Sequence, residues 1–492
     1  MPQSEATVHL FEPDVAGCGI PDELGDIRGR VERLLKHWRL FNQDEEKVRA
    51  QQHGMVRDGC FIMPSPFSET PDTCYRSYYM PHVFFYEFDS MEKYYWITAD
   101  LSHGHALGAL YFPQRSVAVK LYPHGPVAPV LLQQFSTMRA SVVKEQQPAV
   151  PAAGHRTAVI GYSQFMHMLW NELPALDHIV TTELRTKLQV AVTHQPFGPT
   201  GSLFPEIADD LDLLRYEDIP ELNSQQRLLV GLGAWTITKS VQDRVRAVAN
   251  QHAATRTIQL RDQFRARHAP IFWFSVKPPN RTCTHQGALL IALITAVKRQ
   301  YPKAGIVLNG VCLPWDYHDN SNYQPWFREA MQAAVAACHA TIGEVYRGLT
   351  VDLQADVVAI SDVSACEEIV WGECVDFYFC HGGTMQNKVG WIHRIPGMIH
   401  SNTKFMTAFK WLTPVVDGPK CFYIDPDLVV DDDPQNYSEL QLARKDQNYG
   451  FSSLDRVARE FLDAFAKSRE GSGGELRYRY EDRPPATHQT GI

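Results

Sequence analysis

Three short segments carry residue types that could do chemistry. In VKPPNRTCTHQ (276–286) Lys277 and Arg281 stand four apart in a stretch that Pro278 and Pro279 keep out of helical geometry, and Thr282, Thr284 and His285 follow where a helix begins. Cations and hydroxyls ahead of a helix N-terminus suit a pyrophosphate. In CVDFYFCHGGTMQN (374–387) an apolar run ends at His381. Gly382 and Gly383 let backbone approach a ligand closely, and Thr384 is placed to cap a helix, which makes a cradle of amides for a phosphate or a sugar. In YSQFMHMLWNELPALDH (162–178) His167 and Asn171 are four apart and share a helical face, while Glu172 is rotated about 140° from His167. A helix otherwise built as FMxxLWxxLxAL has little packing use for His, Asn and Glu together.

The surrounding elements explain why these segments matter. From residue 157 onward solid apolar runs alternate with helical ones: TAVIGY, LQVAVTH, APIFWFSV, AGIVLNGV, VVAISD, CVDFYFC and KCFYID against helices at 164–180, 287–302, 326–348 and 451–467. Strands without polar alternation are buried on both faces, so the expected fold class is α/β, with parallel sheets in two facing Rossmann-like lobes. Ligands in such sheets sit beyond the carboxyl ends of strands, where all three segments fall. Ahead of the lobes, 27–52 is patterned as an amphipathic helix, and 59–126 holds short aromatic and β-branched runs expected to form an antiparallel β-rich extension. The expected domains are 1–150 for the helix and β-rich region, 151–265 for the first lobe and connecting helices, 266–467 for the second lobe and terminal helix, and 468–492 for a polar, disordered tail. A Pro/Ala-rich linker is expected over 143–156.

Composition narrows the function classes. With 492 residues, 44% apolar and 21% charged, the chain has an ordinary globular make-up, and 31 Pro and 31 Gly imply many turns. A net charge of −9 without a basic run argues against a nucleic-acid partner. No apolar stretch is long enough for a membrane span, which leaves at most peripheral contact with a membrane, and no secretory signal is visible. The ten cysteines form no CxxC pair and are expected to be reduced, mostly buried thiols of a cytoplasmic protein.

Together the motifs resemble a GT-B-type glycosyltransferase, and more narrowly the family of plant xylan arabinosyl- and xylosyltransferases with bacterial capsular and exopolysaccharide homologues. HMLWNELPAL (167–176) resembles that family's His-x-x-x-Asp-x-x-Leu-Pro segment, with Asn171 in the place of the acid and Glu172 beside it. HGGTMQN (381–387) resembles HGAGLTN, with His381, Gly382 and Asn387 matching directly. RIPGMIH (394–400) stands where the family has Pro-Gly before an apolar strand. The resemblance spans 157–425.

It implies transfer of a sugar from a nucleotide-sugar donor to a hydroxyl of a glycan or glycoconjugate in polysaccharide biosynthesis, with inversion, no metal and no cofactor. The donor diphosphate would be held on the second lobe by Lys277, Arg281 and Thr282 and by the HGGT turn: His381, Gly382, Gly383 and Thr384, with Asn387. On the acceptor side His167 is the first choice of base, Glu172 the second, and Asn171 orients either. Asp425, Asp427 and Asp431 to Asp433 are expected in an exposed loop and not at a metal. Two alternatives remain: a polysaccharide-modifying transferase on a similar scaffold, and a non-catalytic carbohydrate-binding protein stacking sugars on Tyr94, Tyr95, Trp96 and Tyr111. Oligomeric state is not legible.

Overall fold

A computed structural model describes residues 9–11, 20–41, 44–98, 107–121, 128–142, 156–225, 227–278, 280–409, 415, 418–419, 421–443 and 445–470. Nearly all of the expected linker and tail, and Pro279, lie outside these residues. The chain divides into two compact units, one formed by Met1–His252, Leu313–Arg328 and Pro414–Val416, the other by Ala253–Cys312, Glu329–Thr413 and Asp417–Ile492.

Among the described residues the first unit holds two larger sheets and a two-stranded one, Phe61–Met63 against Asp72–Cys74. β1 (His9–Phe11), β2 (Arg76–Met80), β3 (Val83–Asp89), β4 (Lys93–Thr98), β5 (Leu107–Phe112) and β6 (Val117–Lys120) assemble in the order β1-β6-β5-β4-β3-β2, antiparallel except for β1 against β6. Both faces of this sheet are covered. The Phe85 ring stacks on Phe135 of the helix Pro129–Val142 at 3.8 Å, and Trp96 meets Trp38 of the helix Arg28–Phe41 at 5.6 Å. Tyr94, Tyr95, Trp96 and Tyr111 are therefore 0–4% exposed, which corrects the sugar-stacking alternative: these rings are core. The helix expected over 27–52 is two, since Asp44 caps a new start at Glu45–Asp58 through Lys47 N–H.

The second sheet of this unit is parallel: β7 (Arg156–Ile160), β8 (Leu188–Val192), β9 (Leu211–Leu213) and β10 (Leu229–Gly231), in the order β9-β8-β7-β10. The three-residue β10 has no counterpart among the apolar runs picked out in the sequence, being too short to impose a pattern. Ser77 of β2 ties the two sheets together, its hydroxyl donating to Leu229 O at 2.8 Å and accepting from Leu229 N at 2.7 Å.

The second unit is a six-stranded parallel sheet, the expected α/β fold. β11 (Ile271–Ser275), β12 (Gly305–Asn309), β13 (Val357–Ile360), β14 (Phe377–His381), β15 (Gly397–His400) and β16 (Cys421–Tyr423) run in the order β13-β12-β11-β14-β15-β16. Alternate residues serve opposite layers. Phe272, Phe274, Ile306, Leu308, Phe377 and Phe379 pack under the helices Gln286–Gln300 and Leu454–Glu470, and Ile271, Trp273, Val307, Tyr378 and Cys380 pack against Trp371 and Val389. Burial of a Phe or Trp at such a site is worth about 3–5 kcal/mol against Ala. All nine described cysteines are free thiols, seven of them buried, as expected. No described helix is long and apolar enough to cross a membrane.

Candidate functional site

Strand order places the site in the second unit. The succession leaves β11 toward β12 and β13 on one side and resumes at β14 on the other, so a crevice opens between the carboxyl ends of β11 and β14. Four neighbouring strands end there in a polar residue: Asn309, Ser275, His381 and His400 across the sheet, each no more than 2% exposed. Among the described residues His381 Nε2 and Asn309 Oδ1 have no hydrogen-bond partner. His381 is held by Ser275, whose Oγ lies 3.2 Å from Nδ1 and accepts the His381 N–H at 3.1 Å. Burial first, then the charges of His400, Lys277 and Arg281, push its imidazole well below the usual range, so it acts as a neutral hydrogen-bonding group.

The loop after β11 brings both expected cations to the same edge. Gln286 clasps it, accepting from Lys277 N at 2.7 Å and donating to Lys277 O at 3.0 Å, while Asn448 Oδ1 accepts from Thr282 N at 3.0 Å. Lys277 Nζ donates to Asn280 O. Arg281 takes a left-handed backbone, φ 50°, which a side chain other than glycine adopts at a cost of about 1 kcal/mol or more. Its guanidinium lies 4.1 Å from the centroid of the Phe405 ring, and among the described residues Nε has no hydrogen-bond partner. Burial, then Arg281, pushes the Lys277 amine down to about 8, and Asp446 pulls the other way.

The HGG turn reaches the same ring. A Cβ on Gly382 would stand 2.8 Å from Phe405 Cε1 and 3.3 Å from Ser401 Cβ, and one on Gly383, where φ is 101°, 3.5 Å from Phe405 Cζ. The structure thus brings Arg281, Gly382 and Gly383 together around Phe405, with Lys277 and His381 close enough to Arg281 for their charges to interact. Beside them lies a narrow pocket lined by Gly382, Gly383, Gln386, Ile399, Phe405, Met406 and Tyr423. The helix expected to start at Thr384 is instead a 3-10 turn, Thr384–Gln386, running into a π turn, Asn387–Trp391. Thr384 is the first residue of this turn and not its cap. Asn387 is 2% exposed with Oδ1 unbonded among the described residues. The π turn is anchored from below, Lys388 Nζ meeting Glu368 Oε2 at 2.5 Å in the core.

The residues expected on the acceptor side lie in the first unit, at its own strand-order break between β7 and β10. Asn171, fully buried, donates from Nδ2 to Ala234 O at 2.6 Å, which leaves Oδ1 facing His167 Nδ1 at 3.1 Å. That assignment puts the imidazole proton on Nδ1 and makes Nε2 the basic nitrogen. Glu172 turns away from them: its Oε2 accepts the N–H groups of Gly161 at 2.8 Å and Tyr162 at 2.9 Å, holding the loop after β7. Met168–Glu172 is a π turn, and the extra residue re-aims Asn171 and Glu172 relative to an α-helix.

The acidic run is occupied with loop building. Asp425 and Asp433 cap short turns through Asp427 N and Gln435 N, Asp431 accepts from Thr403 N at 2.9 Å, and Asp432 from Tyr437 Oη at 3.0 Å. Among the described residues no three His, Cys, Asp or Glu side chains are grouped to hold a metal ion.

Sequence reasoning missed Phe405, Ser401, Asn309, His400 and Gln286. The signal was there in part: the apolar runs IFWFS, GIVLN, FYFCH and GMIH each end on a polar residue. Nothing in the sequence marks Phe405 as other than core.

No family model and no curated protein matches the chain. Among solved structures it is similar to Alr3699/HepE of Anabaena in complex with UDP and glucose (14% identity, TM-score 0.26, 65% of this chain and 99% of that one) and to the same protein with UDP-glucose (12% identity, TM-score 0.24, 65% and 100%). It is also similar to the α,α-trehalose 6-phosphate synthase of Burkholderia multivorans (11% identity, TM-score 0.22, 66% and 70%).

Proposed function

We propose that this chain is a GT-B-type glycosyltransferase that moves a sugar from a nucleotide-sugar donor to a hydroxyl of a glycan or glycoconjugate. The observation that carries the reading is the convergence of Lys277, Arg281, the His381–Gly383 turn and an unbonded, neutral His381 Nε2 at the break in strand order of the second unit. Two cations and a buried neutral donor fit a diphosphate.

In this reading Lys277 and Arg281 take the charge that builds on the departing nucleoside diphosphate, and Gly382 and Gly383 let backbone close on it. The grip is by side chains and amides, with no metal and no cofactor required. On the acceptor side His167 Nε2 removes the hydroxyl proton, and Asn171 holds the Nδ1–H that fixes the tautomer. Glu172 positions the loop. Attack by the freed oxygen on the anomeric carbon from the face opposite the diphosphate inverts that centre. A cytoplasmic role in polysaccharide biosynthesis completes the proposal. Calorimetric titration of the full chain with UDP, GDP, CDP and dTDP tests it: one of them binds the parent, and K277A/R281A loses that binding while staying folded. A parent that binds none of them sinks the reading.

A further inference from the structure

The N-terminal antiparallel sheet has no part in the proposed chemistry, yet one of its turns reaches the parallel sheet of the same unit. Pro81–His82 joins β2 to β3, and His82 sits there at φ 69°, a conformation that glycine or asparagine takes far more readily. Its strained backbone is pinned by its N–H, which donates to Tyr79 Oη at 3.2 Å. The imidazole stands 4.3 Å, ring to ring, from Tyr162 at the end of β7 and 6.3 Å from His194 at the end of β8, and its Nε2 is 3.3 Å from Tyr216 Oη beyond β9. Tyr162 in turn meets His167 edge-on at 5.2 Å. Three strand ends and a turn of the other sheet thus contribute to one wall of phenol and imidazole rings.

We propose that His82, Tyr162, His167, His194 and Tyr216 form the acceptor subsite, built to hold a neutral sugar ring, and that the N-terminal sheet exists in part to supply His82 to it. This rests on the reading of His167 as the acceptor-side base. The ligand class follows from what the wall offers. The half-buried rings of His82, Tyr162, His167 and Tyr216 can stack on the C–H face of a sugar, and their phenol and imidazole groups can exchange hydrogen bonds with its hydroxyls. The nearby carboxylates are engaged inward: Glu172 by two backbone amides, Asp316 by Tyr323 Oη at 2.9 Å, Gln195 N at 2.8 Å and Asn320 Nδ2 at 2.7 Å. His194, 1% exposed, donates from Nδ1 to Gly161 O at 2.8 Å and backs the other four rings from within.

The full-length chain is applied to an array of neutral and acidic oligosaccharides, and the strongest neutral binder is titrated against the parent, H82G and H82N. Both substitutions keep the turn, because glycine and asparagine suit its backbone, so the melting temperature should hold or rise. Expected are binding of a neutral oligosaccharide by the parent and its weakening by about tenfold or more in both variants, the loss of a ring contact and a hydrogen bond. UDP or GDP affinity should not move. Variants that bind as the parent does, or a parent that binds only acidic glycans or none, overturn the proposal. Absence of nucleotide binding in the parent counts against the donor reading alone, because the array and the His82 variants decide this one separately.

Discussion

Arg281 and Gly382 pack against the same phenyl ring, that of Phe405, although a hundred residues separate them in the chain. In the proposed grip, an anion held by both displaces that ring. Phe405→Ala is therefore expected to tighten nucleoside diphosphate binding, by about three- to tenfold, because the ring no longer has to be displaced. Calorimetry on the purified variant checks this. Weaker binding would mean that the ring serves to aim the guanidinium.

The two glycines should fail differently. Gly382→Ala forces a methyl to within 2.8 Å of Phe405 and so repacks the site, with loss of nucleotide binding. Gly383→Ala has ordinary space but a φ of 101°, and the backbone strain is expected to cost roughly 1–3 kcal/mol of stability. Denaturant unfolding beside nucleotide titration separates the two.

In the proposed donor site Lys277 is expected to make binding pH-dependent. Its amine loses its proton near pH 8 in the folded chain, against the usual 10.5, because it is buried beside Arg281. Affinity for UDP or GDP should be steady below about pH 7 and fall through pH 8 to 9 as the cation is lost. Lys277→Arg, always charged, should flatten the profile. The sign for folding is opposite: between about pH 8 and 10.5 the unfolded chain holds a proton that the folded chain does not, so stability should rise with pH through that window.

Asn171 stands where the resembling segment has an acid, and its surroundings explain why an acid does not fit. Its Nδ2 donates to Ala234 O at 2.6 Å; a carboxylate there would face a carbonyl with no proton between them. Asn171→Asp is expected to cost about 1–3 kcal/mol in unfolding experiments, while its carboxylate still accepts the His167 Nδ1–H and keeps the tautomer. His167→Ala should abolish transfer with nucleotide binding intact.

Much of this arrangement was legible in the residues. Solid apolar strands alternating with helices define the parallel sheets, because a strand buried on both faces cannot alternate. Lys277, Arg281, His381 and Gly382 stand out as cations and glycines at strand ends, and they do come together. Glu172 was misleading, since a carboxylate that ties two backbone amides looks in sequence like one that faces a ligand. Phe405 and His82 were invisible for a different reason: each acts through a partner more than 70 residues away, and no local periodicity encodes that distance. The break of the first helix at Asp44 and the π turn at Met168–Glu172 likewise depend on side-chain bonds that a helical pattern does not reveal.

The buried pair beneath the site gives a stability test. Glu368 is pushed up by burial and held by Lys388 at 2.5 Å and by Asn309 Nδ2. Removing one partner, as in Lys388→Met, strands a charge in the core and should cost about 3–5 kcal/mol, whereas K388M/E368L should recover much of it. Chemical denaturation of both variants reads this directly.

The most direct measurement is calorimetric titration of UDP and GDP into the parent chain and into K277A/R281A, with melting temperatures recorded on the same samples. Expected is saturable binding by the parent of at least one of them and loss of about thirtyfold or more in the folded variant, two charge-assisted contacts having gone. Equal affinity in parent and variant, or no binding by the parent, would contradict a diphosphate grip at the β11–β14 crevice.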